Sequence, residues 1–284
     1  MTVTVTVSGS APGETPQGQS DRPSGVSRTD RPGAALVLGR RMVAGWRGWQ
    51  AVIAMTVFYG NTHHGRTFRD RAEAGRQLGR RVLEWGSDAP IVVGLPRGGV
   101  PVAYQVALAL GAPLDILVVR KIGAPGQPEL ALGAVGEGGI RLYNHDIIAA
   151  LGITPHRLER LTDATATEVA ERTERLRGPL PPLEVTGRAV LLVDDGIATG
   201  ATVRAAMAVL RRREVSELLL AVPVTAPEAL RLLGPLADDL VCLTAPPSFQ
   251  AVGQFYNDFE QTTDHEVRRL LDLAAARDDT GAPG

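Results

Sequence analysis

The stretch VLLVDDGIATGAT, residues 190–202, restricts this chain more than any other. Four apolar residues predict a buried strand, Asp194 and Asp195 stand at its C-terminal end, and a Gly/Thr loop leads into a helix expected from about Ala201 to Arg213. Gly196 and Gly200 let backbone approach a ligand closely, while Thr199 and Thr202 add hydroxyl donors. The helix that follows aims unpaired N–H groups and its positive dipole end at the same point. Two carboxylates repel a phosphate, so Asp194 and Asp195 suit a sugar diol and a hydrated Mg²⁺ instead. The combination predicts a ribose-phosphate site. It is not a Walker A loop, which needs a Lys before its final Ser/Thr, and it lacks the spacing of a dinucleotide fingerprint.

The rest of the chain alternates in the same way. FRDRAEAGRQLGRRVLEWG reads as an amphipathic helix, APIVVGLP as a buried strand, VPVAYQVALALG as a helix closed by Gly111, and LDILVVR as a strand. After residue 200, ELLLAVPV and DLVCLT read as strands separated by the helix APEALRLLG. Short apolar runs alternating with helices imply βαβ units, hence an α/β fold with a parallel sheet covered on both faces. Residues 155–177 read as a charged helical insertion after a short strand near 140–143. In the region IGAPGQPELALGAVGEGG, Gly and Pro content without apolar period predicts a mobile loop.

A net charge of −1 and a pI near 6.5 supply no general electrostatic reason to bind nucleic acid or an anionic membrane. Cys242 is the single cysteine, lies in the apolar run DLVCLTAP and is expected in the core of a protein from a reducing cytoplasm. Residues 8–33 have a composition that cannot offset its ordering entropy. The apolar run at 42–60 is interrupted by Arg47 and too short to span a bilayer. The expected organisation is a disordered or mis-annotated extension over 1–66, with translation starting at a later methionine such as Met55. A core follows over 67–246 with its helical insertion at about 144–178, then a C-terminal hood or arm over 247–276 and a disordered tail over 277–284.

The Asp-Asp pair with TGAT resembles the phosphoribosyl-pyrophosphate (PRPP) motif of type I phosphoribosyltransferases, and the alternation of elements from about 68 to 245 agrees with that family's core. The resemblance implies the type I phosphoribosyltransferase fold, a parallel sheet with flanking helices and a small hood. It implies PRPP and Mg²⁺, with the 5′-phosphate on Gly196, Ile197, Ala198, Thr199, Gly200, Ala201 and Thr202, and the ribose hydroxyls and metal at Asp194 and Asp195, the metal through water. GLPRGGVP resembles the family's pyrophosphate loop, in which an unusual cis peptide often occurs; Arg97 supplies donors there, and Gly98 and Gly99 bring backbone N–H groups close.

Thirty Lys and Arg residues include one lysine, Lys121, at the end of LDILVVR beside Arg120. If the sheet is parallel, three strand ends converge: Arg97, then Arg120 and Lys121, then Asp194 and Asp195. The catalytic set expected is Lys121, Arg97, Asp194 and Asp195, with the loop after Lys121 similar to the one that closes over PRPP. Phe255, Tyr256 and Phe259 crowd after the last strand as candidates for stacking on an acceptor, either in a hood or in an arm that merely packs on the core. Ala198 stands where enzymes for 6-oxopurines usually carry an acid, which leaves the acceptor open. LPRGGVPVA, VVRKIGAPGQPELALGAVGEGG and FYNDFEQTTDHEV together resemble a bacterial group of the family whose acceptor is not established. A homodimer is one assembly to expect. The second class of function is a PRPP- or nucleotide-binding regulator. A hydrolase finds no G-x-S-x-G or H-E-x-x-H in support, and His63 and His64 do not form zinc-ligand spacing.

Overall fold

The computed structural model describes residues 68–85 and 90–280, together with three short strands nearer the N-terminus: β1 (Val3–Thr4), β2 (Leu36–Leu38) and β3 (Thr56–Val57). Apart from those strands, the expectations for residues 1–66, including Met55, His63 and His64, lie outside the described residues.

The core alternates as the apolar runs predict. Helix α1 (Arg71–Trp85) leads to β4 (Ile91–Gly94), α2 (Gly99–Leu110) and β5 (Leu114–Ile116). Later come β9 (Ala189–Val193), α5 (Ala201–Arg212), β10 (Glu217–Val224), α6 (Pro227–Leu233), β11 (Asp239–Thr244) and α7 (Asp264–Thr280). Strands β11, β10, β9, β4 and β5 are neighbours in that order and all parallel, and β2 adds antiparallel to β11.

Side chains alternate across the sheet, as pleating requires. Val92, Leu191, Val193 and Leu219 share one core with α1, α2 and α7, whereas Ile91, Val93, Leu192 and Leu220 pack with α5 and α6 on the other face. Both faces are therefore covered, which explains why these strands read as continuous apolar runs. Cys242 is fully buried in the second core, where burial pushes its thiol up to about 12, so it is an inert packing residue as expected.

One expectation fails. The segment after Lys121 is not a mobile loop. Strands β6 (Val119–Ala124), β7 (Gln127–Gly136) and β8 (Ile140–Tyr143) form a separate antiparallel sheet, continued by helices α3 (His145–Ala150) and α4 (Pro155–Arg177). Gly126, Gly138 and Gly139 supply the positive φ of its turns, and Gly133 marks a close approach: a Cβ there would lie 2.0 Å from the Leu142 carbonyl oxygen. Ile122, Ala124 and Leu132 belong to the core that includes Val169 and Leu176 of α4, while Val119, Ile140 and Leu142 pack toward the α5 side. The small sheet is thus held between α4 and α5.

Helix α7 runs past 277, where the sequence reading begins the tail. Arg277 donates to the carbonyls of Ala107 and Ala112, at the closing turn of α2, and fastens this part of the helix to the core. Among the described residues no helix is long and apolar enough to cross a membrane.

Candidate active site

Strands β4 and β9 are hydrogen-bonded neighbours with Gly94 opposite Val193, so the loops leaving their C-terminal ends must touch. They do so more tightly than a side chain would permit. A Cβ on Gly98 would lie 2.1 Å from Asp195 Oδ2, and one on Gly99 would lie 2.9 Å from the Asp194 Cα. The glycine pair is therefore required by the two aspartates. The peptide between Pro96 and Arg97 is cis. Gly98→Ala is expected to displace the Asp195 carboxylate, lowering the melting temperature through a strain of about 1–3 kcal/mol. Thermal unfolding, read beside ligand binding, checks this, and an unchanged melting temperature would show that the loop can relax.

The loop after β9 is anchored from below. Ile197 is buried, and its N–H donates to the Val224 carbonyl at 2.9 Å, so it fastens the loop to β10. Ala198 and Thr199 are exposed. Gly200 has φ +76°, a conformation that side chains resist, and turns the chain into α5.

Asp194 and Asp195 differ in their surroundings. Burial foremost, and then the charge of Asp195, holds the Asp194 carboxyl well above the usual carboxylate range. Its Oδ1 accepts from the Asp195 N–H at 2.9 Å. Burial also raises Asp195, but a guanidinium opposes it: Arg71 Nε donates to Asp195 Oδ2 at 2.7 Å, with both side chains nearly buried. Arg71 also donates to the Glu260 carbonyl at 2.6 Å, and its guanidinium carbon lies 3.9 Å from the centre of the Phe259 ring. The Tyr256 hydroxyl donates to the Asp195 carbonyl at 2.6 Å. Arg71 and Tyr256 thereby tie the 255–260 segment to the acidic pair.

The aromatic candidates separate accordingly. Phe255 and Tyr256 are buried in a small cluster with Phe68, Ala74 and Val224, so their rings have no open face for a ligand; this corrects the expectation that they stack on an acceptor. Phe259 is 37% exposed and stacks on Tyr256 with ring centres 5.0 Å apart.

Arg120 and Lys121 also need correction. They lie within β6 of the small sheet and not at the end of a parallel strand, because the parallel strand β5 stops at Ile116. Adjacent residues of a strand face opposite ways. Arg120 pairs with Glu168 of α4 at 3.0 Å, whereas Lys121 shares a face with Val119, on the α5 side, and meets the exposed Glu129 at 3.1 Å.

Three functional candidates had no signal in the local sequence. Arg172 and Arg175 come from α4 and Asp264 from the start of α7. Asp264 binds Arg97 at 3.2 Å and Arg175 at 2.8 Å, and Arg172 donates to the Pro96 carbonyl at 3.3 Å. These groups, like Arg71, read as ordinary charges of amphipathic helices, and only folding brings them to the strand ends.

Among the described residues no cluster of three or more His, Cys, Asp or Glu side chains could hold a metal. Two adjacent carboxylates of raised pKa remain, a donor set suited to an ion that brings water and phosphate oxygens with it. His145, His156 and His265 are exposed, as expected of surface histidines.

A family model described as the phosphoribosyl transferase domain matches residues 71–259, and this chain belongs to that family. Two curated proteins of Mycobacterium tuberculosis, from strains CDC 1551 / Oshkosh and ATCC 25618 / H37Rv, carry provisional phosphoribosyl transferase names. Each is 46% identical over 209 residues, covering 74% of this chain and 47% of the relative. The chain thus spans about half the length of the curated relatives it matches. The crystal structure of TT1426 from Thermus thermophilus superposes with a TM-score of 0.66 at 44% identity, over 72% of this chain and 97% of that one.

Proposed function

We propose that the protein is a PRPP-dependent phosphoribosyltransferase that joins the ribosyl carbon to a nitrogen nucleophile, such as that of a nucleobase, and releases pyrophosphate. The observation that carries this reading is the contact of the 96–99 loop with Asp194 and Asp195, closed to the width of a glycine. It sets a loop suited to pyrophosphate against a pair suited to the ribose hydroxyls, at the sheet edge where open α/β folds take ligands. The 5′-phosphate belongs on residues 196–202, at the N-terminus of α5.

In this reading the protein contributes positioning and charge. Asp194 accepts from the ribose diol, Arg71 holds Asp195 and opposes the burial that raises it, and Arg97 with Arg120 meets the charge that develops on the departing pyrophosphate. Mg²⁺, held by Asp194 and Asp195 through water, would supply further neutralisation of that charge. Phe259 is the ring left to contact an acceptor. The assembly, a homodimer included, and a cytoplasmic location belong to the same proposal.

Lys121 has the cleanest test. Its partner Glu129 is almost fully exposed, so removing the ion pair changes stability by less than about 1 kcal/mol. A role for Lys121 requires its ammonium to leave Glu129 and reach the departing pyrophosphate from the α5 side; Lys121→Ala is then expected to melt like the wild type and to lose about a hundredfold in transfer, the scale of one missing charge in a transition state. Lys121→Arg separates a mobile ammonium from charge alone. Full activity in both variants removes Lys121 from the mechanism.

The function itself is tested by pyrophosphate release from PRPP and Mg²⁺ against a panel of nucleobases and small amines. PRPP binding without turnover on any acceptor would favour the regulator. No PRPP binding would overturn PRPP as the substrate and with it the transferase reading.

A further inference from the structure

We propose that Asp264 is a built-in competitor for the anionic ligand: in the ligand-free protein it neutralises the arginines at the pyrophosphate end of the site, and an incoming phosphate group replaces it, received by Arg172 of α4. The proposal rests on the reading of residues 96–99 as a pyrophosphate loop.

Four guanidiniums gather at this end, from three separate parts of the fold. Arg97 comes from the loop after β4, Arg120 from β6, and Arg172 and Arg175 from α4, one turn apart. Like charges do not collect without something to balance them. Asp264 divides its two oxygens between Arg97 and Arg175, and Glu168 takes Arg120. Among the described residues, two carboxylates thus pair within this group of four cations. Arg172 has the weakest compensation: it donates to a neutral carbonyl, that of Pro96, at 3.3 Å. It is half-buried, and burial first, then the charges of Arg120 and Arg97, pushes its guanidinium below the ordinary value. A poorly compensated cation in that setting is stabilised by a multivalent anion.

Asp264 is suited to leave. About one third of its side chain is exposed, like that of Arg97, and it lies in the first turn of α7, where a negative charge retains a favourable dipole after its ion pairs break. An anion that binds two arginines while exposed to water is an exchangeable stand-in for a phosphate. It also blunts non-productive capture of stray anions, at the expense of affinity for the right one.

Inorganic pyrophosphate, titrated calorimetrically into the full chain at low and at high salt, tests this. Asp264→Asn is expected to bind pyrophosphate about threefold to tenfold more tightly at low salt, with the gain shrinking as salt rises. Arg172→Gln is expected to bind it about tenfold more weakly, with Arg172→Lys between the two. The opposite signs separate the proposal from a folding defect, which weakens both variants. Weaker or unchanged binding in Asp264→Asn, unchanged binding in Arg172→Gln, or no pyrophosphate binding by the wild type each overturns it. PRPP binding distinguishes the two readings. If the variants shift as stated but PRPP does not bind, the competitor stands and the transferase reading falls. If PRPP binds wild type and variants alike, the competitor falls and the transferase reading stands.

Discussion

Asp194→Asn is expected to raise the melting temperature of the ligand-free protein while lowering transfer by about a hundredfold. The Asp194 carboxyl is held above its ordinary pKa by burial and by Asp195, so the fold favours its neutral form. A carboxyl raised in the folded state stabilises nothing at neutral pH. Below the unfolded pKa both states are protonated and the group is silent; as pH rises from there through the folded pKa, ionisation progressively destabilises the fold. Asparagine retains an oxygen for the Asp195 N–H and removes the charge. The gap between variant and wild type should therefore be absent at acid pH, open above the usual carboxylate range, and reach roughly 2–4 °C for each kcal/mol removed. Adding Mg²⁺ with PRPP should narrow it by stabilising the wild type alone. Melting curves across pH check the sign, and a variant less stable than wild type at neutral pH would place the strain elsewhere.

The second large effect is structural. Arg177 at the end of α4 is buried between Asp115 of β5 and Glu137 after β7. It donates to Asp115 Oδ1 at 3.0 Å, to both Glu137 oxygens and to the Ile116 carbonyl at 2.8 Å. Asp115 also accepts from Leu183 N–H at 2.9 Å. The cluster joins the small sheet and α4 to the parallel core. Arg177→Leu leaves two carboxylates buried without their cation, and breaking a buried pair from one side costs about 3–5 kcal/mol. The melting temperature should fall by roughly 10 °C. Burial already raises Asp115, and the Arg177 charge opposes that rise. Removing the arginine leaves burial unopposed at Asp115, so the variant should recover stability relative to wild type as pH falls toward the ordinary carboxylate range. A loss that does not vary with pH would mean that packing, not charge, is what Arg177 supplies.

Both predictions concern charges whose setting could not be read along the chain. The 190–202 segment is self-contained: strand, acids, loop and helix are consecutive, so the local pattern is enough to predict the elements the structure shows there and to propose a ribose-phosphate site on them. The parallel sheet was equally legible, because continuous apolar runs report strands covered on both faces. The small sheet was not. In VVRKIGAPGQPELALGAVGEGG, Gly and Pro suggest mobility, yet Gly133 is there because the Leu142 carbonyl leaves no room for a Cβ. An isolated glycine in an alternating run was the available sign. The aromatic segment was found, but its division into buried supports, Phe255 and Tyr256, and an exposed ring, Phe259, depends on what α1 brings against it.

What the sequence by itself determined is the class of fold and the strand, acidic pair, loop and helix of its central segment, because βαβ alternation and that motif are written in neighbouring residues. Only the tertiary structure decided which charges serve that loop. Arg71 reaches Asp195 across 124 positions, and Asp264 reaches Arg97 across 167. No periodicity couples residues that far apart. Long arginine side chains on amphipathic helices look alike until packing sends one into a site and leaves another in water.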